Sequence, residues 1–546
     1  MNEEAQQGGT IVSSHFGAGL GPVSRPPLPP SRILVIGDFG GAARGELVTV
    51  DAADLTSLPG RLGVDITCDV PNLLGEGGPT LRLTFPIAAL RDLDPARAAR
   101  LEPTLARAMA VAAGAADDSP AFARLRPAVG APDQTTTRPL ETTAAAPDDD
   151  GALDRLMGMV DVREAAPDPA KAAVSAFLSG VTRSPAAAAG SASNQAAAGL
   201  VDRQMRLAFA TPAWRDTEAR WAGLKLILDH VQREAPLRVD LCEVGRSEIP
   251  TVLQRLASVQ PEDTTLLGII VAGRFSTHPG DFVLLRAIAE ACETLGAPAF
   301  VSLQGGWFGC PAGEAGRSDA PAQLIDDPAH DPWRGLIATP AGAYLAAFWN
   351  GPIVKDAQDI RDTLYGEPAM LAGAVLAARM GAQGWPRNLA GPDAAVGGLG
   401  VATQRSGGRD VASPLEALVD LAAAGDLRRI GINAFVGQPN RDIAFLIHAT
   451  TAAGSQAAAG AEASLNHALA GARLMGLMAS QLPQVLAGRT PTDAADAVAA
   501  WLGDLVASTG PGREATVTRS GDHLDLRIRL GADVAANADF SFEIAL

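Results

Sequence analysis

TTLLGIIVAGRFSTHPGDFVLLRAIAEACETLGAPAFVSL, residues 264–303, reads as a strand, a helix and a second strand. TTLLGIIVAGRF is apolar almost throughout, as a strand covered on both faces would be. HPGDF interrupts the pattern, and Asp281 stands where a helix N-cap would accept a backbone N–H. Residues 282–295 follow as a helix, and APAFVSL as another apolar strand. Strand–helix–strand at this spacing predicts a three-layer α/β domain.

The flanking sequence extends that pattern. Upstream, LRVDLCEV alternates, placing Leu237, Val239 and Leu241 on one face. Residues 203–234 read as one helix carrying Trp214 and Trp221, seven apart and therefore on a shared face that packs into a core or interface. Downstream, helices are expected over residues 369–382 and 463–486. Near the start, SRILVIGDFGG (residues 31–41) is a buried strand followed by a tight glycine turn, and residues 64–70 and 79–85 alternate as strands. Residues 94–113 read as a helix broken or kinked at Pro103. The end is all β: Leu524, Leu526, Ile528 and Leu530 alternate in HLDLRIRL, and Phe540, Phe542, Ile544 and Leu546 in FSFEIAL. Free strands of this kind are donors to another sheet edge.

Between these parts the composition changes. Residues 115–200 are Ala, Pro, Ser, Thr and Asp tracts, expected as a linker because they bury too little apolar area to offset ordering entropy. One island inside it, residues 151–162, places Leu153, Leu156, Met157 and Val160 at i, i+3, i+4 and i+7, the stripe of a short amphipathic helix. Residues 1–30 form a Gly, Pro and Ser-rich arm ending in RPPLPPS, with TIVSSHF (residues 10–16) as a candidate strand.

The 546 residues carry 61 acids and 44 bases, a formal charge of −17. No basic half or tail exists to displace phosphate counterions, so neither nucleic acid nor direct membrane insertion is expected. The four cysteines stand far apart and read as free thiols of a reducing compartment; with no basic, apolar leader in MNEEAQQGGT the expectation is a cytoplasmic chain. The chemistry search finds little. IGDFGG lacks the glycines of a dinucleotide loop, GGLG (residues 397–400) is no P-loop, no GxSxG elbow occurs, and the seven histidines show no zinc spacing. No catalytic residue, cofactor or metal ligand is expected, and the reading is a non-enzymatic assembly protein.

The order of these features resembles the contractile sheath proteins of type VI secretion systems. SRILVIGDFGG, VDITCDVPNLL and the stretch from LRLTFPIAAL to ARAM are similar to the small sheath subunit, with Asp92-Leu93-Asp94-Pro95 where that subunit has Asp-Phe-x-Pro. Several segments resemble the large subunit: PAWRDTEARWAGLKLIL, with Glu218, Trp221, Gly223 and Leu224; GRFSTHPGDF; Gly296-Ala297-Pro298-Ala299-Phe300; GWPRNLAGPDAAVGGLGV; and LRRIGINAFVGQPNRDIAF. The two are separate chains in the family, and the resemblance implies that they are fused here. LAAFWNGPI replaces the family's Arg-x-Pro-Tyr-Gly element, and ARLMGLMASQL lacks its His-Tyr and basic residues.

The resemblance implies a mixed-sheet, three-layer sheath-subunit fold with terminal strands donated to neighbouring subunits. Its parts are an arm (1–30), a small-subunit-like region (31–114), a linker with its helix (115–200) and a large-subunit-like region (201–546) ending in strands over 514–546. The implied partners are further copies in a helical polymer, an inner tube protein and baseplate components. A Clp-type AAA+ unfoldase would bind the 151–162 helix. Leu524, Leu526, Ile528, Phe540, Phe542 and Ile544 are the candidate inter-subunit strand residues. A static sheath-like tube, and an α/β enzyme or ligand-binding protein with a distributed site, remain as alternatives.

Overall fold

A computed structural model describes residues 28–42, 44–125, 185–258, 264–356, 363–406, 408–455, 464–535 and 539–545. The chain divides into two compact units. One comprises residues 1–67, 84–98 and 211–546, the other residues 68–83 and 99–210. The TIVSSHF segment and the 151–162 helix, with Leu153, Leu156, Met157 and Val160, lie outside the described residues.

The larger unit is built on an eight-stranded sheet. Ser31–Gly37 (β1) and Leu47–Val50 (β2) come from the start of the chain. A hairpin follows, Val64–Pro71 (β3) and Thr80–Ile87 (β4), which forms a separate two-stranded sheet. Next come Leu237–Glu243 (β5), Thr265–Phe275 (β6), Ala299–Leu303 (β7) and Leu345–Trp349 (β8). After a small hairpin of Ala402–Ser406 (β9) and Arg409–Ser413 (β10), Ile432–Gly437 (β11) and Ala444–Leu446 (β12) finish the sheet. The order is β12-β11-β8-β7-β6-β1-β5-β2. The six strands from β11 to β5 are parallel, and β12 and β2 close the edges antiparallel. This is the expected α/β class with a mixed sheet.

Sequence-distant strands meet in its middle. β1 pairs with β5 on one side, Ile33 opposite Val239, and with β6 on the other, Val35 opposite Ile270. All seven β1 residues are buried, which is why SRILVIG carries no alternation. β5, expected to alternate, is instead buried on both faces from Val239 to Glu243. Its Asp240 is tolerated there because Arg238 donates to it at 2.8 Å and Arg32 lies 3.7 Å away.

Helices cover both faces. We number Pro95–Leu101 α1, Pro103–Ala112 α2, Pro185–Phe209 α3 and Pro212–Asp229 α4. Ile249–Ala257 is α5, Pro279–Leu295 α6, Asp331–Ile337 α7 and Pro368–Ala378 α8. On one face Leu34, Ile36, Ile269 and Val271 share a core with Ile249 and Leu253 of α5 and Leu285 and Ile288 of α6. On the other, α4 and α8 approach so closely that a Cβ on Gly223 would stand 2.7 Å from Met370 Cγ, and one on Gly373 3.0 Å from Ile227 Cδ1; the latter would also stand 2.3 Å from Ile270 Cδ1 of β6. α8 is almost wholly buried.

The helix expected over 203–234 is two, parted at Thr211–Pro212. Proline serves at the first turn of α4, where its missing N–H costs nothing, and Thr211 Oγ1 caps Trp214 N. Pro103 likewise parts α1 from α2. Leu421–Leu427 (α9), Leu465–Leu486 (α10) and Pro491–Val506 (α11) lead to the end of the chain. There Glu514–Ser520 (β13), His523–Arg529 (β14) and Asp539–Ala545 (β15) form a three-stranded sheet.

The smaller unit centres on Leu74, Ala108, Val111, Phe122, Ala197 and Val201. Of the stretch expected as a linker over 115–200, only the two ends lie within the described residues, and both carry helical structure: residues 185–209 are helix α3, and Pro120–Leu125 is a 3-10 turn. Alanine loses the least on entering a helix, and Ala197 and Val201, one turn apart, pack against Ala108 and Phe122; tertiary contact supplies what composition lacks. Buried Gln204 accepts from Leu73 N at 2.7 Å and donates to Pro71 O at 3.0 Å.

Candidate functional site: a cleft at the strand ends and an open C-terminal sheet

The carboxyl ends of β1, β5 and β6 lie side by side, where the chain leaves β5 on one side of β1 and re-enters the sheet as β6 on the other. Crevices at such switch points are where open α/β sheets bind ligands. The IGDFGG turn caps this position. Gly37 is required by close approach, since a Cβ there would stand 2.6 Å from Ala272 Cβ. Asp38 Oδ1 accepts from Gly40 N at 2.9 Å. The Phe39 N–H lies 3.0 and 3.1 Å from the two oxygens of Glu243, and Trp221 Nε1 donates to Phe39 O at 3.0 Å. The Phe39 and Trp221 rings meet edge to face at 5.5 Å. The turn reading therefore holds, and the glycine turn and the Trp221 helix, 182 residues apart, lock each other. Burial pushes the Glu243 carboxyl up to about 7; Asp38 adds to the rise, and the N–H groups of Phe39 and Gly41 oppose it.

Beyond the turn lies a polar cleft of about 520 Å³, lined by Arg220, Arg246, Arg274, Asp281, Gln304 and Glu367 among others. Arg220 Nη1 donates to Asp38 O at 2.6 Å, and its Nε to Glu367 Oε1 at 3.3 Å; Glu367 Oε2 accepts from Gly273 N at 2.8 Å. Arg274 Nη2 donates to Gly366 O at 3.0 Å. Arg246 lies over the Phe275 ring at 4.2 Å and donates to Asp281 Oδ1 at 2.9 Å. Asp281 Oδ2 accepts from Ser276 N and Oγ at 2.7 and 2.6 Å. Burial works against the Asp281 charge, but the Ser276 hydrogen bonds and Arg246 hold the carboxyl below its usual range. Asp281 is not the N-cap of α6: His278 is, its Nδ1 accepting from Gly280 N at 3.1 Å, because Asp281 is committed to Ser276 and Arg246. The cleft offers guanidinium donors and carboxylate acceptors in balance. Sequence reading missed it because its residues come from five separated segments; the only local trace is an arginine near the carboxyl end of two strands, just past β5 in CEVGR and at the penultimate residue of β6 in AGRF.

Trp214 and Trp221 are both fully buried, as expected for packing residues. Trp214 Nε1 donates to Glu218 Oε2 at 3.0 Å, and Lys355 pairs with the other Glu218 oxygen. Among the described residues no group of three or more His, Cys, Asp or Glu could hold a metal ion, and no helix is long and apolar enough to cross a membrane. All four cysteines are free thiols; burial pushes Cys242 up to about 11 and Cys292 higher still.

The candidate strand residues come together in the C-terminal sheet. In this single chain the strands pair with each other: Leu524 opposes Ile544, Leu526 opposes Phe542 and Ile528 opposes Phe540. Each is an apolar cross-strand pair on the face turned to α10 and α11. Phe540 also stacks on His467 of α10 at 4.3 Å. On the opposite face Arg529 bridges Asp539 at 2.7 Å and Glu514 at 3.6 Å. With β14 central, β13 and β15 present the outer edges.

No known protein-family profile matches the chain, and no curated protein matches it. Among solved structures, a cryo-EM structure of the anti-feeding prophage baseplate, 6-fold symmetrised, is similar at 13% identity and a TM-score of 0.33, over 57% of this chain and 76% of that one. At that score and identity the likeness carries no argument about this chain.

Proposed function

We propose that the chain is the structural subunit of a type VI secretion-like contractile sheath, polymerising into a helical tube around an inner tube by strand exchange. One observation carries the reading. β1, from the stretch that resembles the small sheath subunit, lies between β5 and β6, from the stretch that resembles the large one. Two segments that are separate chains in the family would be expected to interlock in this way once fused, because neither completes the sheet alone. The open edges of β13 and β15 are where a neighbour's strand would add, through main-chain hydrogen bonds. A static tube is the same reading without contraction. The partners in this proposal are further copies, an inner tube protein and baseplate components. A Clp-type unfoldase would grip Leu153, Leu156, Met157 and Val160, which a binding assay with a peptide of residues 148–164 tests.

The cleft favours a second reading, a ligand-binding or enzymatic α/β protein in which Arg220, Arg246 and Arg274 face a small polar ligand. Particle size separates the two. Negative-stain electron microscopy and light scattering of the full chain should show megadalton tubes; a small closed oligomer would refute the sheath. Deleting residues 538–546 should leave the α/β body folded and abolish the tubes. Full-length tubes from that truncation would sink strand exchange through β15.

A further inference from the structure

Between α10 and α11 runs a groove of about 750 Å³. Its walls include Gln481 and Val485 of α10 and Trp501, Asp504 and Leu505 of α11; Leu28, the first described residue, lines it as well. Leu28 also packs against the core that α10 and α11 share with the C-terminal sheet. The chain just beyond Leu28 is pinned. Fully buried Arg473 of α10 donates to Pro29 O at 2.6 Å, and Thr265 N to Pro30 O at 3.1 Å. The described segment therefore enters β1 from the groove.

Those residues read Ser24-Arg25-Pro26-Pro27, so the run is RPPLPP. A proline run of this kind takes the polyproline II form, three residues per turn, with carbonyls that find no partner within the helix. Aromatic-lined grooves with side-chain donors are the surfaces that accept it. This groove has the aromatic, Trp501, whose Nε1 donates to Gln481 Oε1 at 2.8 Å and so leaves the Gln481 amide NH2 as a donor. Its charged lining is an acid, Asp504, and a base, Arg489, whose Nη1 donates to Val485 O at 2.7 Å. With three residues per turn, Arg25 shares a face with Leu28, about 9 Å along the axis. In that form, Leu28 in the groove would bring Arg25 to the same groove, one turn away.

We propose that the α10–α11 groove is a cradle for this chain's own residues 24–27, held in polyproline II form with Arg25 paired to Asp504 and the prolines against Trp501. The cradle fixes the point from which residues 1–23 leave the body, beside the C-terminal sheet. This holds whether or not the chain forms tubes.

Trp501 makes the test clean. The other six tryptophans are no more than 2% exposed, whereas Trp501 is half-buried. Acrylamide quenching of the full chain, after subtraction of the Trp501→Phe variant, therefore reads the cover over Trp501. Arg25→Asp and Asp504→Arg should each raise the quenching slope of that component, about twofold for an exposed ion pair. The double variant Arg25→Asp/Asp504→Arg should restore the original slope, and Pro26→Gly/Pro27→Gly should raise it again. The emission of the six buried tryptophans should stay unchanged throughout, showing an intact fold. Single variants that leave the slope unaltered, or a double variant no better than the singles, would overturn the proposal. So would a slope that falls with rising protein concentration, because the occupant would then be the arm of a second copy.

Discussion

Replacing Trp221 by Phe tests the contact that joins the two ends of the sheet's sequence. The indole N–H is the donor to Phe39 O, and both residues are fully buried. Phe39 O would lose this partner in a site with no exposure, which costs about 1–3 kcal/mol. The smaller ring also leaves a space of roughly 40 Å³, worth about 1 kcal/mol at the usual cavity coefficient. The edge-to-face contact with Phe39 is largely kept, so the total is about 2–4 kcal/mol, a factor of about 30 to 1000 in the opening equilibrium. Global unfolding of so long a chain is not expected to be two-state, so the fitting assay is hydrogen exchange by mass spectrometry over residues 33–44. Exchange of the Phe39 and Gly40 amides should quicken by that factor, with residues 514–530 unaffected. Trp214→Phe is the control: its Nε1 partner, Glu218, keeps the Lys355 contact, and the 33–44 peptide should not respond. Unchanged exchange in Trp221→Phe, or an equal response in Trp214→Phe, would refute the idea that Trp221 anchors the turn.

Two further expectations follow from the same geometry. Glu243 has a folded pKa near 7 against an ordinary 4.5, so the folded state binds its proton more tightly; this stabilisation is complete below about pH 4.5 and is lost by about pH 7. Exchange of the Phe39–Gly41 amides should therefore be slowest at about pH 4.5 and below and quicken up to about pH 7, after correction for intrinsic rates, and a flat profile through pH 7 would contradict it. Gly223→Ala sets the gain of about 1 kcal/mol from helix propensity against about 1–3 kcal/mol of overpacking, because the added Cβ meets Met370 Cβ and Cγ, which cannot swing clear. The thermal midpoint should fall by a few degrees; a rise would show that α4 and α8 are not tightly apposed.

Elements whose signature is local were legible in the sequence by itself. The alternation in β3, β14 and β15 and the apolar runs of β1, β6 and β7 depend only on which faces of a strand are covered, and periodicity records that directly. The strand–helix–strand at 264–303, and with it the α/β class, follows from the same signal. Features that depend on a distant partner were not legible. β5 looked half-exposed because nothing local says that helices cover both of its faces. Residues 185–200 looked like linker because alanine declares no face until Ala108 and Phe122 lie against it. The placing of β1 between β5 and β6, the pairing of β15 with β14 and the gathering of Arg220, Arg246 and Arg274 at one cleft are contacts across tens to hundreds of residues. Sequence pattern shows that a surface must be buried; only the packed sheet decides what buries it, because apolar burial is non-directional and partner choice rests on shape and register.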